Sequence, residues 1–93
     1  MSGHKNKAHL ALVASLPCAV CDACPPSECH HIRDGMGMGM KADDEETIPL
    51  CYRLHRGEEG FHHIGKRAWE DRYGTQRSLL ERTLSLISVI GRI

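Results

Sequence analysis

The stretch from Cys18 to His31 reads CAVCDACPPSECHH and contains four of the five cysteines of the chain. It joins a Cys18-x-x-Cys21 turn to the adjacent histidines His30 and His31. A second stretch, IPLCYRLH, runs from Ile48 to His55 and adds another thiol and another imidazole. Thiolates and neutral imidazoles are the ligands that zinc and related metals prefer. The sequence therefore predicts two metal environments in one small domain, one structural and one reactive.

Composition supports a fold that depends on metal. The chain has 93 residues, with seven histidines and five cysteines but only four aromatic residues, one Trp, two Tyr and one Phe. A domain of this size buries a small core and usually needs further stabilisation, such as disulfide bonds or a bound metal. A disulfide framework is the rival interpretation, but five is an odd number and neither a signal peptide nor an apolar transmembrane run precedes the cysteines. We therefore expect a reduced, cytoplasmic protein without membrane contact.

Charge gives a weaker signal about partners. The formal net charge is zero, and sequence-independent affinity for DNA comes mainly from basic residues that neutralise phosphates. The bases are concentrated in residues 51–93, where eight Lys and Arg face five acids. This half can face a phosphate backbone, although alternating charge along a helix is equally typical of a solvated face.

The pattern along the chain predicts a single α+β domain over residues 1–93. A leading helix is expected over 4–16, ending before Pro17, and a metal-bound core over 17–64. Two short strands are predicted within that core. The first lies within Glu28–Arg33 and ends in the histidine pair, and the second is Thr47–Leu50. The alternating glycines and methionines of residues 35–40 indicate a loop that gains order from packing or from a ligand, or else a plain connector.

Helices are expected to complete the domain over residues 66–91. A helical turn begins at Cys51 and ends near Gly57, and a helix over Lys66–Tyr73 is closed by Gly74. Thr75 is placed to cap the last helix. The apolar stripe of that helix is predicted to pack against the core, and its apolar end to be covered by a second copy of the chain or by another partner. The stripe consists of Leu79, Leu80, Leu84, Ile87, Val89 and Ile90.

A structural zinc site is the first metal prediction. Cys18 and Cys21 supply two thiolates from one turn, and Cys51 is a natural third. The position three residues after Cys51, where a fourth ligand is expected, is Leu54, which cannot bind metal. We expect His62 to take that place, with Cys24 and then His63 as alternatives.

The His30-His31 pair calls for a different explanation. Adjacent side chains on a strand point to opposite faces, so both enter one site only if the strand ends or bends there. One imidazole can then bind a divalent metal while the other activates water as a general base. His55 is placed to supply a second ligand to that metal.

Taken together, the motifs resemble the His-Me finger (HNH) nuclease superfamily, and within it the phage and prophage recombination-enhancement, RecA-dependent nucleases. The resemblance covers about residues 9–75. It rests on LPCxxC from Leu16, ExHHIR from Glu28, GxKAD from Gly39, TIPLCxxxHRG from Thr47, GFH from Gly60 and KRAWExxYG from Lys66.

This resemblance implies a zinc-stabilised ββα-metal core flanked by terminal helices, and a metal-dependent DNA endonuclease of phage or prophage recombination. In such a site His30 and His55 bind a catalytic magnesium or manganese ion, and His31 is the general base. The Asn that gives the HNH motif its middle letter has no clear counterpart, and Glu46 or Thr47 falls near its place.

The resemblance also implies that DNA is the substrate and that a recombinase filament is a partner. The residues expected to position the DNA backbone are Arg33, Lys41 and Arg56. Two other classes remain open. A non-catalytic zinc-binding module for DNA or protein would use the same cysteines, and a thiol redox or metal sensor would use Cys21-x-x-Cys24.

Overall fold

The computed structural model describes residues 5–33 and 42–90. Over these ranges the chain is a small mixed α+β fold with a two-stranded sheet. The glycine- and methionine-rich stretch of residues 35–40 and the predicted DNA contact Lys41 lie outside the described residues. In chain order, the elements are α1 (Lys7–Ala14), β1 (Glu28–His31), β2 (Thr47–Leu50), α2 (Tyr52–His55), α3 (Phe61–Ile64), α4 (Lys66–Tyr73) and α5 (Gln76–Ile90).

β1 and β2 form an antiparallel pair in which His30 lies opposite Ile48 and His31 opposite Thr47. All four residues of β2 are buried, because α1 and α5 both pack against this strand. Since a two-stranded sheet is marginal in water by itself, these helices supply the burial that fixes the strand register. β2 has the bounds predicted from the sequence, and β1 ends at the histidine pair, as predicted.

The hydrophobic core joins the hairpin to α2, α4 and α5. Trp69 of α4 is fully buried, and its Nε1–H donates a hydrogen bond of 2.9 Å to the carbonyl of Leu54. Leu54, the residue found where a metal ligand was expected, is itself fully buried in this core. The core consists of Cys18, Ile32, Ile48, Leu50, Leu54, Trp69, Leu79 and Leu80.

α1 is shorter than the helix predicted over residues 4–16. It begins after Asn6, whose side-chain oxygen accepts a hydrogen bond of 3.0 Å from the backbone N–H of His9. Such a cap satisfies one of the free N–H groups at a helix start. The helix ends at Ala14, consistent with the steric cost of helical backbone immediately before Pro17.

α5 differs from its predicted packing although its cap is where it was expected. Thr75 Oγ1 accepts a hydrogen bond of 3.2 Å from the backbone N–H of Ser78. Only the first half of the helix is buried, through Gln76, Leu79, Leu80 and Thr83. Leu84 of the predicted stripe is 41% exposed and Val89 57% exposed. The reason is length, because a 15-residue helix spans about 22 Å and a four-residue strand only about 13 Å.

In the parts of the chain that the structure describes, no helix is long and apolar enough to cross a membrane.

Candidate metal centres

A thiol cluster is built by Cys18, Cys21 and Cys51, whose sulfur atoms all lie within 4.8 Å of one another. The Sγ atoms of Cys21 and Cys51 are 3.7 Å apart, far longer than a disulfide bond. Cys18 and Cys21 come from the turn after Pro17, and Cys51 is the residue before α2. The turn is tied to the sheet by a hydrogen bond of 2.8 Å from the Ala19 N–H to the Pro49 carbonyl.

The surroundings of the thiols differ from one cysteine to the next. Cys18 is only 1% exposed, whereas Cys21 is exposed. Burial raises the pKa of the Cys51 thiol. At Cys21 burial acts in the same direction, but hydrogen bonds from the Ala23 backbone and from neighbouring side chains outweigh it, so its pKa is lowered. Metal binds the thiolate form of cysteine. The lowered pKa of Cys21 favours that form, so this cysteine suits a metal ligand set.

A histidine cluster forms separately. It consists of His30 in β1, His55 at the end of α2 and His62 in α3. Each offers a ring nitrogen, and these atoms lie within 4.8 Å of one another. The Nε2 atoms of His55 and His62 are 3.2 Å apart. His62, which was expected from the sequence in the zinc site, lies with the other histidines. Neither Cys24 nor His63, the alternatives for that place, belongs to a metal-binding group among the described residues.

A glycine allows α2 and α3 to come this close. Gly60 precedes α3 with a φ of −83°, which any residue can adopt. A Cβ added at this position would lie 2.6 Å from the carbonyl carbon and oxygen of His55. The absence of a side chain at Gly60 therefore sets the distance between His55 and His62.

Glu28 determines which nitrogen of His55 is free. Its Oε1 lies 2.7 Å from His55 Nδ1, and because a carboxylate can only accept, the proton is on Nδ1 and the lone pair on Nε2. The Arg56 guanidinium holds the same carboxylate through Nε at 3.0 Å and Nη2 at 2.6 Å. Hydrogen bonding to Arg56 lowers the pKa of Glu28, with a smaller contribution from His55. An acid that orients a ligating imidazole in this way is typical of metal sites.

Gln76 plays the same part for His30. Its Oε1 lies 2.7 Å from His30 Nε2, and its Nε2 faces Glu70 Oε2 at 3.4 Å, which agrees with the oxygen pointing to the histidine. His30 therefore carries its proton on Nε2 and a lone pair on Nδ1. That Nδ1 is buried and has no hydrogen-bond partner among the described residues. Burial lowers the pKa of His30 to about 4, so its imidazole is neutral at pH 7.

These observations test whether the two groups fit a metal. His30 Nδ1 carries a buried lone pair with no partner among the described residues, and the Nε2 atoms of His55 and His62 face each other at 3.2 Å. A divalent cation satisfies such a set, and imidazoles suit first-row transition metals such as zinc better than magnesium, which prefers oxygen. The three thiols likewise fit zinc. Both groups can therefore bind a metal.

A cavity of about 250 Å³ opens beside the histidine cluster. Both members of the histidine pair line it, because β1 ends at His31 and the strand alternation stops there. His31 Nε2 lies 2.9 Å from Asp44 Oδ1. The cavity is lined by His30, His31, Arg33, Phe61, His62, Lys66 and Gln76.

Comparison with known proteins gives the family. The family model described as "Protein of unknown function (DUF968)" matches residues 1–91. The chain belongs to this family. It is also 41% identical over 81 residues to the uncharacterized protein YdfU of Escherichia coli (strain K12), a match that covers 85% of this chain. The chain spans about a fifth of that relative, 22% of its length. No solved structure matches this chain.

The DNA-contact residues expected from the sequence of this DUF968 chain have different surroundings. Arg33 lines the cavity, whereas Arg56 is held by Glu28. Lys66 also lines the cavity and was not among the residues expected from the sequence, although its place after Gly65 in the basic half of the chain was a usable signal. Neither proposed counterpart of the HNH Asn has a described hydrogen bond to His31, because Glu46 pairs with Arg77 and Thr47 donates to the Asp44 carbonyl.

Proposed function

We propose that this protein is a metal-dependent DNA endonuclease of the HNH type that hydrolyses phosphodiester bonds. The observation that carries the proposal is the cavity in which His31, with its carboxylate partner, lies beside the cluster of His30, His55 and His62. A general base next to a cation site is what hydrolysis of a phosphodiester requires.

The order of elements supports the HNH part of the proposal. β1, β2 and α2 follow one another as strand, strand and helix. The first strand carries His30 and His31, and the helix ends in His55. This order is the one expected of the ββα-metal arrangement that the sequence resemblance implies, and it supports the proposal. His62 lies close enough to His30 and His55 to join the expected pair of ligands.

The residues of the chain have separate tasks in this mechanism. His31 takes a proton from the attacking water on its free ring nitrogen. Arg33 and Lys66, at the cavity wall, bring positive charge to the scissile phosphate and position it. Glu28 and Gln76 hold His55 and His30 in their ligating tautomers. When bound, the metal ion supplies stabilisation of the charge that develops on the phosphate and on the departing 3′ oxygen.

The thiol cluster has a structural task in the proposal. Zinc bound to Cys18, Cys21 and Cys51 would hold the turn after Pro17 against β2 and the start of α2. Because Cys18 belongs to the core, this site stabilises the fold and does not face the cavity lining.

A plasmid-nicking assay tests the proposal. The purified chain is incubated with zinc, nickel, manganese, magnesium or a chelator, beside His31→Ala and the matched control His63→Ala. His63 is exposed and belongs to neither cluster. We expect His31→Ala to lower the nicking rate by about 10² to 10⁴-fold and His63→Ala to leave it unchanged.

A parallel reaction with single-stranded DNA and a recombinase shows whether a partner is required, as the resemblance implies. Nicking by His31→Ala at the wild-type rate would refute the mechanism. The absence of cleavage of every substrate by metal-loaded protein would reject the endonuclease and favour a zinc-binding module for DNA or protein.

A further inference from the structure

Asp44 is a buried acid to which the sequence motifs assign no role. It lies in the turn before β2 and is only 5% exposed. Its two carboxylate oxygens have different partners: Oδ1 lies 2.9 Å from His31 Nε2, and Oδ2 accepts a hydrogen bond of 2.8 Å from the backbone N–H of Asn6. A buried carboxylate with one defined partner on each oxygen is fixed in orientation.

The partner on Oδ2 comes from a distant part of the chain. Asn6 is 38 residues away in sequence and is the N-cap of α1. Its side chain reaches the same turn, because Asn6 Nδ2 donates to Glu45 Oε2 at 3.0 Å. On the other side, Thr47 Oγ1 donates to the Asp44 carbonyl at 3.0 Å. The start of α1 and the start of β2 thus hold the Asp44 turn between them.

This arrangement has a chemical consequence for His31. An ionised carboxylate can only accept, so the nitrogen that faces it must carry the proton. His31 then has its proton on Nε2 and a lone pair on Nδ1. We propose that Asp44 is the positioning residue that holds His31 in this tautomer, so that Nδ1 is the atom that takes the proton from water during phosphodiester hydrolysis.

The catalytic part of this inference rests on the proposed nuclease function, whereas the tautomer does not. Asp44 takes over the orienting task for which Glu46 and Thr47 were the candidates from the sequence. Neither has a hydrogen bond to His31 among the described contacts, while Asp44 does.

The decisive variant is Asp44→Asn. An amide has one oxygen for two donors, the Asn6 backbone N–H and the His31 ring N–H. The backbone N–H cannot change its role, but an imidazole can change tautomer. The arrangement that satisfies every group therefore gives the oxygen to Asn6 and turns the amide N–H toward His31 Nε2. We expect the variant to fold and to carry the proton of His31 on Nδ1, the reverse of the wild type.

Nitrogen-15 NMR of the zinc-loaded full chain, at a pH where the imidazole is neutral, reads the tautomer directly. The spectrum of His31→Ala identifies the signals. The matched control is Asp43→Asn, the same change at the neighbouring residue, whose Oδ1 accepts from the Glu45 N–H at 2.9 Å. The amide created by this change keeps an oxygen for that bond, so the tautomer of His31 should stay unchanged. If Asp44→Asn should fail to fold, Asp44→Ala is examined instead, and loss of the exclusive Nε2–H signal is expected.

The same proteins are compared in the nicking assay. We expect Asp44→Asn to lower kcat by about 10² to 10⁴-fold with little change in KM, since a reversed tautomer presents a proton in place of the lone pair. An unchanged Nε2–H tautomer in the variant would overturn the proposal, as would a reversed tautomer with wild-type kcat. If the wild type does not cleave DNA, the nuclease proposal fails, and the NMR result still decides whether Asp44 sets the tautomer.

Discussion

Gly60→Ala should separate His62 from His55 while leaving most of the fold in place. The new Cβ would lie 2.6 Å from the His55 carbonyl carbon and oxygen and 2.8 Å from the Arg56 nitrogen, where ordinary contacts begin at 3.4 Å. All three atoms are backbone, so no side chain can turn away to make room. The backbones of α2 and α3 must therefore move apart by roughly 0.8 Å, the difference between 3.4 and 2.6 Å.

The size of this movement sets the expected effect. Metal–ligand distances tolerate deviations of only about 0.2 Å, so the separated His55 and His62 cannot both bind well. We expect a loss of metal affinity at the histidine cluster of at least about tenfold. Overpacking of this kind lowers the free energy of unfolding by about 1 to 3 kcal/mol.

Gly65→Ala is the matched control. A Cβ at Gly65 would have no atom within 4 Å, but its φ of +92° is costly for alanine. That strain lowers the free energy of unfolding by about 1 to 2 kcal/mol, similar to the loss at Gly60, without moving α3 against α2.

Cobalt titration and urea unfolding of both variants separate the effects. Thiolate ligands give intense charge-transfer absorption, whereas imidazole ligands give weak d–d bands, so the two clusters are followed independently. The reasoning predicts a weakened histidine cluster in Gly60→Ala alone. Wild-type cobalt affinity at that cluster in Gly60→Ala, or an equal loss in Gly65→Ala, would refute it.

The remaining predictions concern the thiol site, the core and acid stability. Cys18→Ser should lose its cooperative fold, because structural zinc contributes folding energy; far-UV circular dichroism before and after chelation checks this, and a variant that stays folded in chelator contradicts it. Trp69→Phe removes the donor to the Leu54 carbonyl and should lower the free energy of unfolding by about 1 to 3 kcal/mol, measured in urea; unchanged stability would show that this bond is replaced. The hydrogen bond from the Asn6 backbone, followed by that of His31, lowers the pKa of Asp44. Its carboxylate therefore stabilises the fold above the ordinary aspartate range, and this contribution is lost as pH falls through the lowered pKa. Asp44→Asn should accordingly show a flatter loss of stability as pH falls below about 5, and curves parallel to wild type would contradict the assignment.

Much of the fold could be predicted from local pattern. The bounds of β2 and α4 and the cap at Thr75 agree with the structure, because each is encoded by neighbouring residues. α3 has only four residues, too few to show helical periodicity. Its His62 was therefore read as a loop residue free to reach the thiols, and the structure places it elsewhere.

Only those residues of the candidate site that belong to sequence motifs could be predicted. Cys18, Cys21 and Cys51 come together as expected. The partners that set the tautomers could not be predicted, because Gln76 lies 46 residues from His30 and Glu28 27 residues from His55. Such contacts depend on how the hairpin and the helices pack, which no spacing along the chain reveals.

One turn of helix connects the two clusters. Cys51 is the N-cap of α2 and His55 is its last residue, so a residue of each cluster stands at either end of the same five-residue segment. Any metal that orders α2 through one end restricts the other end as well. Thermodynamic reciprocity requires that the gain in affinity run equally in both directions. The two clusters of this domain should accordingly fill with metal cooperatively, and metal binding by the histidines should be sensitive to how well the cell supplies metal to the thiols.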